Sequence, residues 1–505
     1  MVRNGKEAPR YQLSEAEQRF ERWRRRLGLG LGPLAFAATF VLTPPTLTAS
    51  ERTTLAVVLW VLLWWVTEAV PLPVAALFGP TLLVMLHADT PTALFSPFAD
   101  PVIFLFLGSF ILAEGTVASG LDRRLALSVL SWRWVTRTPF RIVAAMGFLG
   151  AAVSMWLSNT ATAAMLYPLA LAVARSLENA SSKSRSPFAT ALLLTIAYTA
   201  SIGGIGTPVG TPPNLIAIGQ LEKLAGLRVT FFQWMGVGVP VVLLMLALCV
   251  IYLGRHAGKR TATGSPEALR TELPPFSVRE RNVVLAFFLA VTLWLLPGSL
   301  TFVLGEGHPW AREASRTLPE GAVAILAATL LFVLPVRWDK LEFTLSWREA
   351  KAIDWGTLVL FGGGLSLGNQ LFKTGLAAKA GESLVTLTGA RDVLSLSYLF
   401  AFAALVLTET TSNTAAATVV CPLAIAAAQA AGVNPVPPTM AAAVTASLAF
   451  MLPVSTPPNA IVYGSGFIRV TDMLRHGVFL DFLGLAVIPP LVVFLCRVLS
   501  IATVG

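Results

Sequence analysis

The sequence predicts an all-α polytopic membrane protein built as an inverted-topology repeat. Three observations predict it: long apolar stretches, basic residues concentrated in alternate loops, and two polar motifs that each occur twice. The chain has 505 residues, 55% hydrophobic and 13% charged. A soluble domain carries about 25% charged residues.

A helix that crosses about 30 Å of hydrocarbon needs roughly 20 apolar residues. Eleven stretches are read as crossings: 29–48, 54–69, 71–87, 100–120, 188–221, 231–253, 282–297, 320–335, 354–372, 438–468 and 477–500. Two further apolar pieces, 142–174 and 394–430, are long enough to enter the membrane and return. The polar, basic tail 1–28 does not match a cleavable signal peptide. Its segment Glu15–Arg26 is amphipathic, suited to the inner leaflet or to a solvated helix. With that tail cytoplasmic, 28 of the 37 Lys and Arg fall in inside segments and 9 outside. This positive-inside bias puts the N-terminus in the cytoplasm and the C-terminus outside. The expected organisation is a tail (1–28), a first repeat (29–255) with an inward-side hairpin at 142–174, a cytoplasmic linker (256–277), and a second repeat (278–505) with an outward-side hairpin at 394–430.

The net charge of +10 comes from loops between spans, which signals orientation and argues against nucleic acid. Cys249, Cys421 and Cys496 sit in apolar runs and read as small buried hydrophobes. Four His without ligand spacing give no metal cluster.

The repeat is direct. Ser158 to Ala174 and Ser412 to Ala428 agree at ten of seventeen positions, each opening on Ser-Asn-Thr. Gly108–Leu121 matches Gly363–Leu376, and "GTPPN" (Gly210–Asn214) matches "STPPN" (Ser455–Asn459). The first Ser-Asn-Thr segment is flanked by inside loops and the second by outside loops. The same unit is entered from opposite faces, an arrangement of secondary transporters with a midplane site.

Ser, Asn and Thr favour caps and turns because their side chains bond nearby backbone. The two tripeptides are therefore placed at the tips of re-entrant helical hairpins. Consecutive prolines remove two amide donors, so 188–221 and 438–468 are expected to be broken helices. Half-helix N-termini suit an anion, and freed carbonyls with side-chain oxygens suit a hard cation. No Lys, Arg or His occurs in 142–174, 188–222 or 392–468. A dianion bound there would need co-bound cations, because each helix dipole supplies only about half a charge.

Acidic groups inside a membrane are costly and often functional. Glu409 stands three residues before Ser412, as a structural hydrogen-bond partner or a proton relay; Glu68 and Glu114 are placed at other breaks. Lys373 is expected to snorkel at the outer end of its span. "FGGG" (Phe361–Gly364) reads as close helix packing. A serine hydrolase would need a paired His or Lys, and the core segments hold none. A passive channel is the remaining competitor.

The stretches "SNTATAAMLYPLA", "SIGGIGTPVGTPPNLI", "ETTSNTAAATVVCPLA" and "MLPVSTPPNAIVYGSG", with "WVTEAVPLPVAAL" (Trp65–Leu77), resemble the divalent anion:sodium symporter family. That family includes the di- and tricarboxylate carriers of the "I'm not dead yet" type and the related sulphate carriers. The resemblance runs from about residue 30 to 505. It implies eleven transmembrane helices, two opposed hairpins, a homodimer in the bacterial inner membrane, and elevator transport. One sodium site would use Ser154, Ser158 and Asn159 with the carbonyl of Gly210. A second would use Thr408, Thr411 and Asn413 with the carbonyl of Ser455. The substrate would sit between the tips, held by Asn159, Thr160, Asn413 and Thr414, with Thr211, Thr456 and Pro457 lining the same space. The sequence departs from the family pattern at Pro208, an extra Thr-Pro step, and at Thr410, where an aromatic is expected. The function these readings give is a sodium-coupled importer of a small divalent anion, a C4-dicarboxylate first. A sodium-independent dicarboxylate exchanger and a citrate or sulphate carrier stand as alternatives.

Overall fold

The fold described here is a computed structural model. It describes residues 15–43, 47–130, 135, 138–177, 186–258, 275–305 and 307–501. The first fourteen residues and most of the expected linker (259–274) lie outside the described residues.

Among the described residues, nine helices are long and apolar enough to cross a membrane, or ten if the bent pair Pro309–Thr317 and Glu320–Val333 is one span. The protein is an integral membrane protein. The difference from eleven has structural reasons. Leu72–Met85 has only 14 residues, and the segments at 188–221 and 438–468 are each divided in two. The basic segment after residue 15 is also not separate from the first span. One helix, Glu15–Leu42, contains both. A two-stranded ribbon, Pro335–Arg337 with Glu342–Phe343, is the one departure from helix among the described elements.

The helices pack in three groups. Glu15–Leu42, Ala49–Thr67, Leu72–Met85 and Trp355–Lys373 form the first, around Val57, Val61, Trp65, Ala76, Leu83 and Leu367. Pro101–Ser119, Val278–Leu304 and Glu320–Val333 form the second. The third holds two helical hairpins, Pro139–Ser154/Asn159–Leu177 and Val393–Thr410/Asn413–Ala430. With them pack two broken helices, Pro187–Gly204/Pro212–Ala225 and Val436–Ala446/Pro457–Tyr463, and the long helices Phe231–His256 and Val470–Val498.

Each break follows from its residues. Pro212 and Pro213 occupy the first two positions of one half-helix, and Pro457 and Pro458 those of the other. There the missing amides fall among those that lack an intrahelical partner in any case. Thr211 and Thr456 are the extended N-caps, with ψ of 144° and 149°.

Close approach is made by small residues, as expected where lipid removes the ordinary hydrophobic drive between helices. In the "FGGG" run, a Cβ on Gly363 would meet the Ala76 carbonyl oxygen at 2.3 Å and one on Gly364 the Thr418 methyl at 2.5 Å. The partner at Gly363 is backbone and cannot step aside. Gly363→Val is expected to destabilise by about 1–3 kcal/mol, the scale of overpacking. A lowered melting temperature in detergent checks this, and an unchanged one contradicts the packing account.

Candidate substrate and cation site

Both hairpin tips open on one cavity of about 420 Å³. It is lined by Ser158, Asn159 and Thr160 of the first tip and by Ser412, Asn413 and Thr414 of the second. Gly210, Thr211, Pro212, Ser455, Thr456 and Pro457 of the two breaks complete that side. None of the lining residues is Lys, Arg or His. Every residue expected at the substrate therefore meets there: Asn159, Thr160, Thr211, Asn413, Thr414, Thr456 and Pro457.

Each tip is built the same way. The Ser hydroxyl oxygen caps the returning arm, accepting from Ala161 N at 3.2 Å in one and from Ala415 N at 3.1 Å in the other. The Asn that follows turns its Oδ1 back to a hydroxyl five residues earlier. Ser154 Oγ donates to Asn159 Oδ1 at 2.9 Å, and Thr408 Oγ1 stands 2.7 Å from Asn413 Oδ1. Ser154 and Thr408 are fully buried behind the tips and do not line the cavity.

Oxygen atoms crowd at both places. A Cβ placed on Gly204 would lie 2.4 Å from Asn159 Oδ1 and 3.2 Å from Gly210 O. Thr408 Oγ1 has a second acceptor, Ala446 O, at 2.6 Å. One hydroxyl proton serves only one of two acceptors at a time. Clusters of neutral oxygens around a point suit a hard cation. The Thr411 hydroxyl donates to Leu407 O at 2.9 Å, satisfying the end of its own arm. Ser455 is held by its side chain, donating to Glu409 Oε2 at 2.7 Å.

Several residues that organise the site were not singled out from sequence. Asn214 Nδ2 donates to Gly204 O at 2.8 Å and Thr207 O at 2.7 Å. Asn459 Nδ2 donates to Ala449 O at 2.8 Å and Leu452 O at 2.9 Å. Each ties together carbonyls freed by its break. The signal was present, since both Asn stand third after Thr in a repeated motif. Tyr198 OH donates to Phe450 O at 3.0 Å and Trp234 Nε1 to Ile205 O at 3.0 Å, closing two more. Thr207, beside Pro208, donates its hydroxyl to Met155 O and so ties the extra Thr-Pro step to the first tip.

The acidic residues separate by role. Glu409 accepts from Met451 N at 3.0 Å and from Ser455, joining the second hairpin to the second break, with the buried Asp481 beside it. Glu68 does stand at a break, as the left-handed C-cap of Ala49–Thr67 with φ 47°. Arg24 Nη2 donates to Glu68 at 3.0 Å, while its Nη1 donates to Thr410 O at 2.7 Å. That carbonyl ends the arm before the second tip, where a cation complements the helix dipole. Nothing local in the sequence announces a contact across 386 positions. Glu114, in contrast, is inside the unbroken helix Pro101–Ser119. Lys373 reaches Asp89 at 2.5 Å instead of snorkelling alone.

Paired hairpins and paired broken helices around one polar cavity with no basic side chain on its wall define a membrane transporter, and not an enzyme. The model of the sodium:sulfate symporter transmembrane region matches residues 31–501. Sodium-dependent dicarboxylate transporter SdcS of Staphylococcus saprophyticus is 36% identical over 484 residues, covering 93% of this chain and 91% of the relative. SdcS of Staphylococcus aureus is 36% identical over 483 residues, covering 93% and 90%. The chain belongs to the sodium:sulfate symporter family, the divalent anion:sodium symporters. Among solved structures, the fold is similar to the YdaH transporter of Alcanivorax borkumensis, with TM-score 0.56, 16% identity, and 94% and 98% coverage. MtrF of Neisseria gonorrhoeae gives TM-score 0.58, 13% identity, and 93% and 96% coverage.

Asn459→Ala is expected to leave the Ala449 and Leu452 carbonyls unpaired, at about 1–3 kcal/mol for each buried group. Asn214→Ala has the corresponding effect on the first break. Thermal melting and substrate uptake should fall together in both variants, and unchanged melting would show that these amides do not hold the breaks.

Proposed function

We propose that the protein is a sodium-coupled symporter that imports a small C4-dicarboxylate such as succinate, malate or fumarate. One observation carries this reading: two hairpin tips share a cavity with no basic side chain on its wall. A dianion there lacks a fixed counter-charge, and helix dipoles supply only about half a charge each. Cations bound with the substrate supply the rest. The similarity to transporters named sodium-dependent dicarboxylate carriers supports the same assignment.

In this reading one sodium ion uses Asn159 Oδ1, Ser154, Ser158 and the Gly210 carbonyl. A second uses Asn413 Oδ1, Thr408 and the Ser455 carbonyl; the Ala446 carbonyl beside Thr408 joins that set. Thr411 is retained from the resemblance; its hydroxyl donates to Leu407 O and keeps its oxygen lone pairs for the ion. Sodium orders each tip, and the amides of Asn159, Thr160, Asn413 and Thr414 then receive the carboxylates. Eleven crossings, two re-entrant hairpins and an inverted repeat complete the architecture. The N-terminus is cytoplasmic and the C-terminus outside, in the bacterial inner membrane. The hairpin group slides as an elevator against the other helices of a homodimer.

Uptake of labelled succinate into proteoliposomes, with and without an inward sodium gradient, tests the reading. Sodium is expected to raise uptake strongly, and Asn159→Ala or Asn413→Ala to abolish it while expression is kept. Uptake indifferent to sodium but driven by internal dicarboxylate would establish the exchanger instead. Uptake of citrate or sulphate alone would move the substrate. Unitary conductance would identify a channel.

A further inference from the structure

The cavity has two unlike walls. The tips and the breaks form one. The other is a face of Pro101–Ser119 that presents Ser109, Phe110, Ala113, Glu114 and Val117, continued by Asp354 and Thr357. Two carboxylates therefore line the same cavity as the tripeptides, and no cationic side chain lines it with them. Their circumstances differ. Asp354 caps its helix, its two oxygens accepting from Thr357 N at 3.1 Å and Thr357 Oγ1 at 2.6 Å. Arg279 is paired with Glu349 at 2.7 Å. Glu114 is partly exposed to the cavity, midway along a helix with no backbone donor free to receive its carboxylate.

We propose that Glu114 is a specificity-determining residue that limits the substrate to two negative charges. The proposal rests on the dicarboxylate reading of the same cavity. A C4-dicarboxylate places both carboxylates toward the tips, where amides and sodium receive them. A tricarboxylate held the same way must direct its third carboxylate at the opposite wall. There it meets Glu114 across a space walled by protein, where like charges act more strongly than in water. Sulphate and C4-dicarboxylates pass this filter, and fully ionised citrate does not.

The test uses the full chain in proteoliposomes with a sodium gradient, at an alkaline pH where all three citrate carboxyls are ionised. Inhibition of labelled succinate uptake by citrate is compared with inhibition by unlabelled succinate. Wild type is expected to discriminate against citrate. Glu114→Gln keeps the shape and removes the charge, so the citrate-to-succinate ratio should rise by roughly tenfold, the effect of one such repulsion relieved. Glu114→Asp should retain the discrimination, and Glu114→Ala, should the Gln variant fold poorly, should lose it. An unchanged ratio in both charge-removing variants overturns the proposal and leaves the dicarboxylate reading intact. Wild-type preference for citrate over succinate, or uptake of neither, overturns both.

Discussion

Everything at the centre of this fold depends on one constraint: a carbonyl freed from a helix at membrane depth must find a donor inside the protein. The two breaks free a series of them, and the structure answers one by one. Gly204 and Thr207 carbonyls go to Asn214, Ile205 to Trp234, Ala449 and Leu452 to Asn459, and Phe450 to Tyr198. The prolines set the positions of the breaks, and these amides and rings keep them open in one shape. Without them the freed carbonyls would be left without these donors, and the breaks would lose the contacts that fix their shape.

The same constraint explains why neutral oxygen, and not fixed positive charge, faces the substrate at the tips. A lysine or arginine at this depth would carry its own desolvation cost whenever the substrate left. Neutral oxygens with their donors already engaged carry no such cost. In the proposed mechanism the positive charge enters and leaves with the substrate. The crowding of Asn159 Oδ1 with Gly210 O, and of Thr408 Oγ1 with Ala446 O, is then tolerable in the empty protein and favourable around a cation.

Much of this was legible in the sequence because it is written locally. The paired prolines located both breaks, Ser-Asn-Thr located both tips, and the absence of Lys, Arg and His from the core segments anticipated a cavity wall without basic side chains. What escaped was written over distance. Arg24 binds Thr410 O across 386 positions of the chain, and Trp234 reaches Ile205 from another helix. The continuity of Glu15–Leu42 escaped for a different reason: the charge pattern marks where the surroundings change, not where the helix begins. Asn214 and Asn459 were present in a motif already quoted, and only the geometry shows why that motif ends in Asn.

The two halves share a plan and differ in how firmly each tip is held. The first tip is tied by neutral contacts, Thr207 to Met155 O and Ser154 to Asn159. The second is tied by charge as well. Glu409 receives both Met451 N and Ser455, and Arg24 grips Thr410 O while paired to Glu68. A hydrogen bond from an arginine is roughly twice as strong as a neutral one, so the bond from Arg24 gives the second tip an anchor of a kind the first tip's contacts do not include. Arg24 also belongs to the first helix group, whereas Thr410 belongs to the hairpin group. In an elevator those groups slide past one another, and this contact cannot survive unchanged. In the proposed elevator movement, the helix that carries Arg24 would favour the end state in which this contact with the second tip is made.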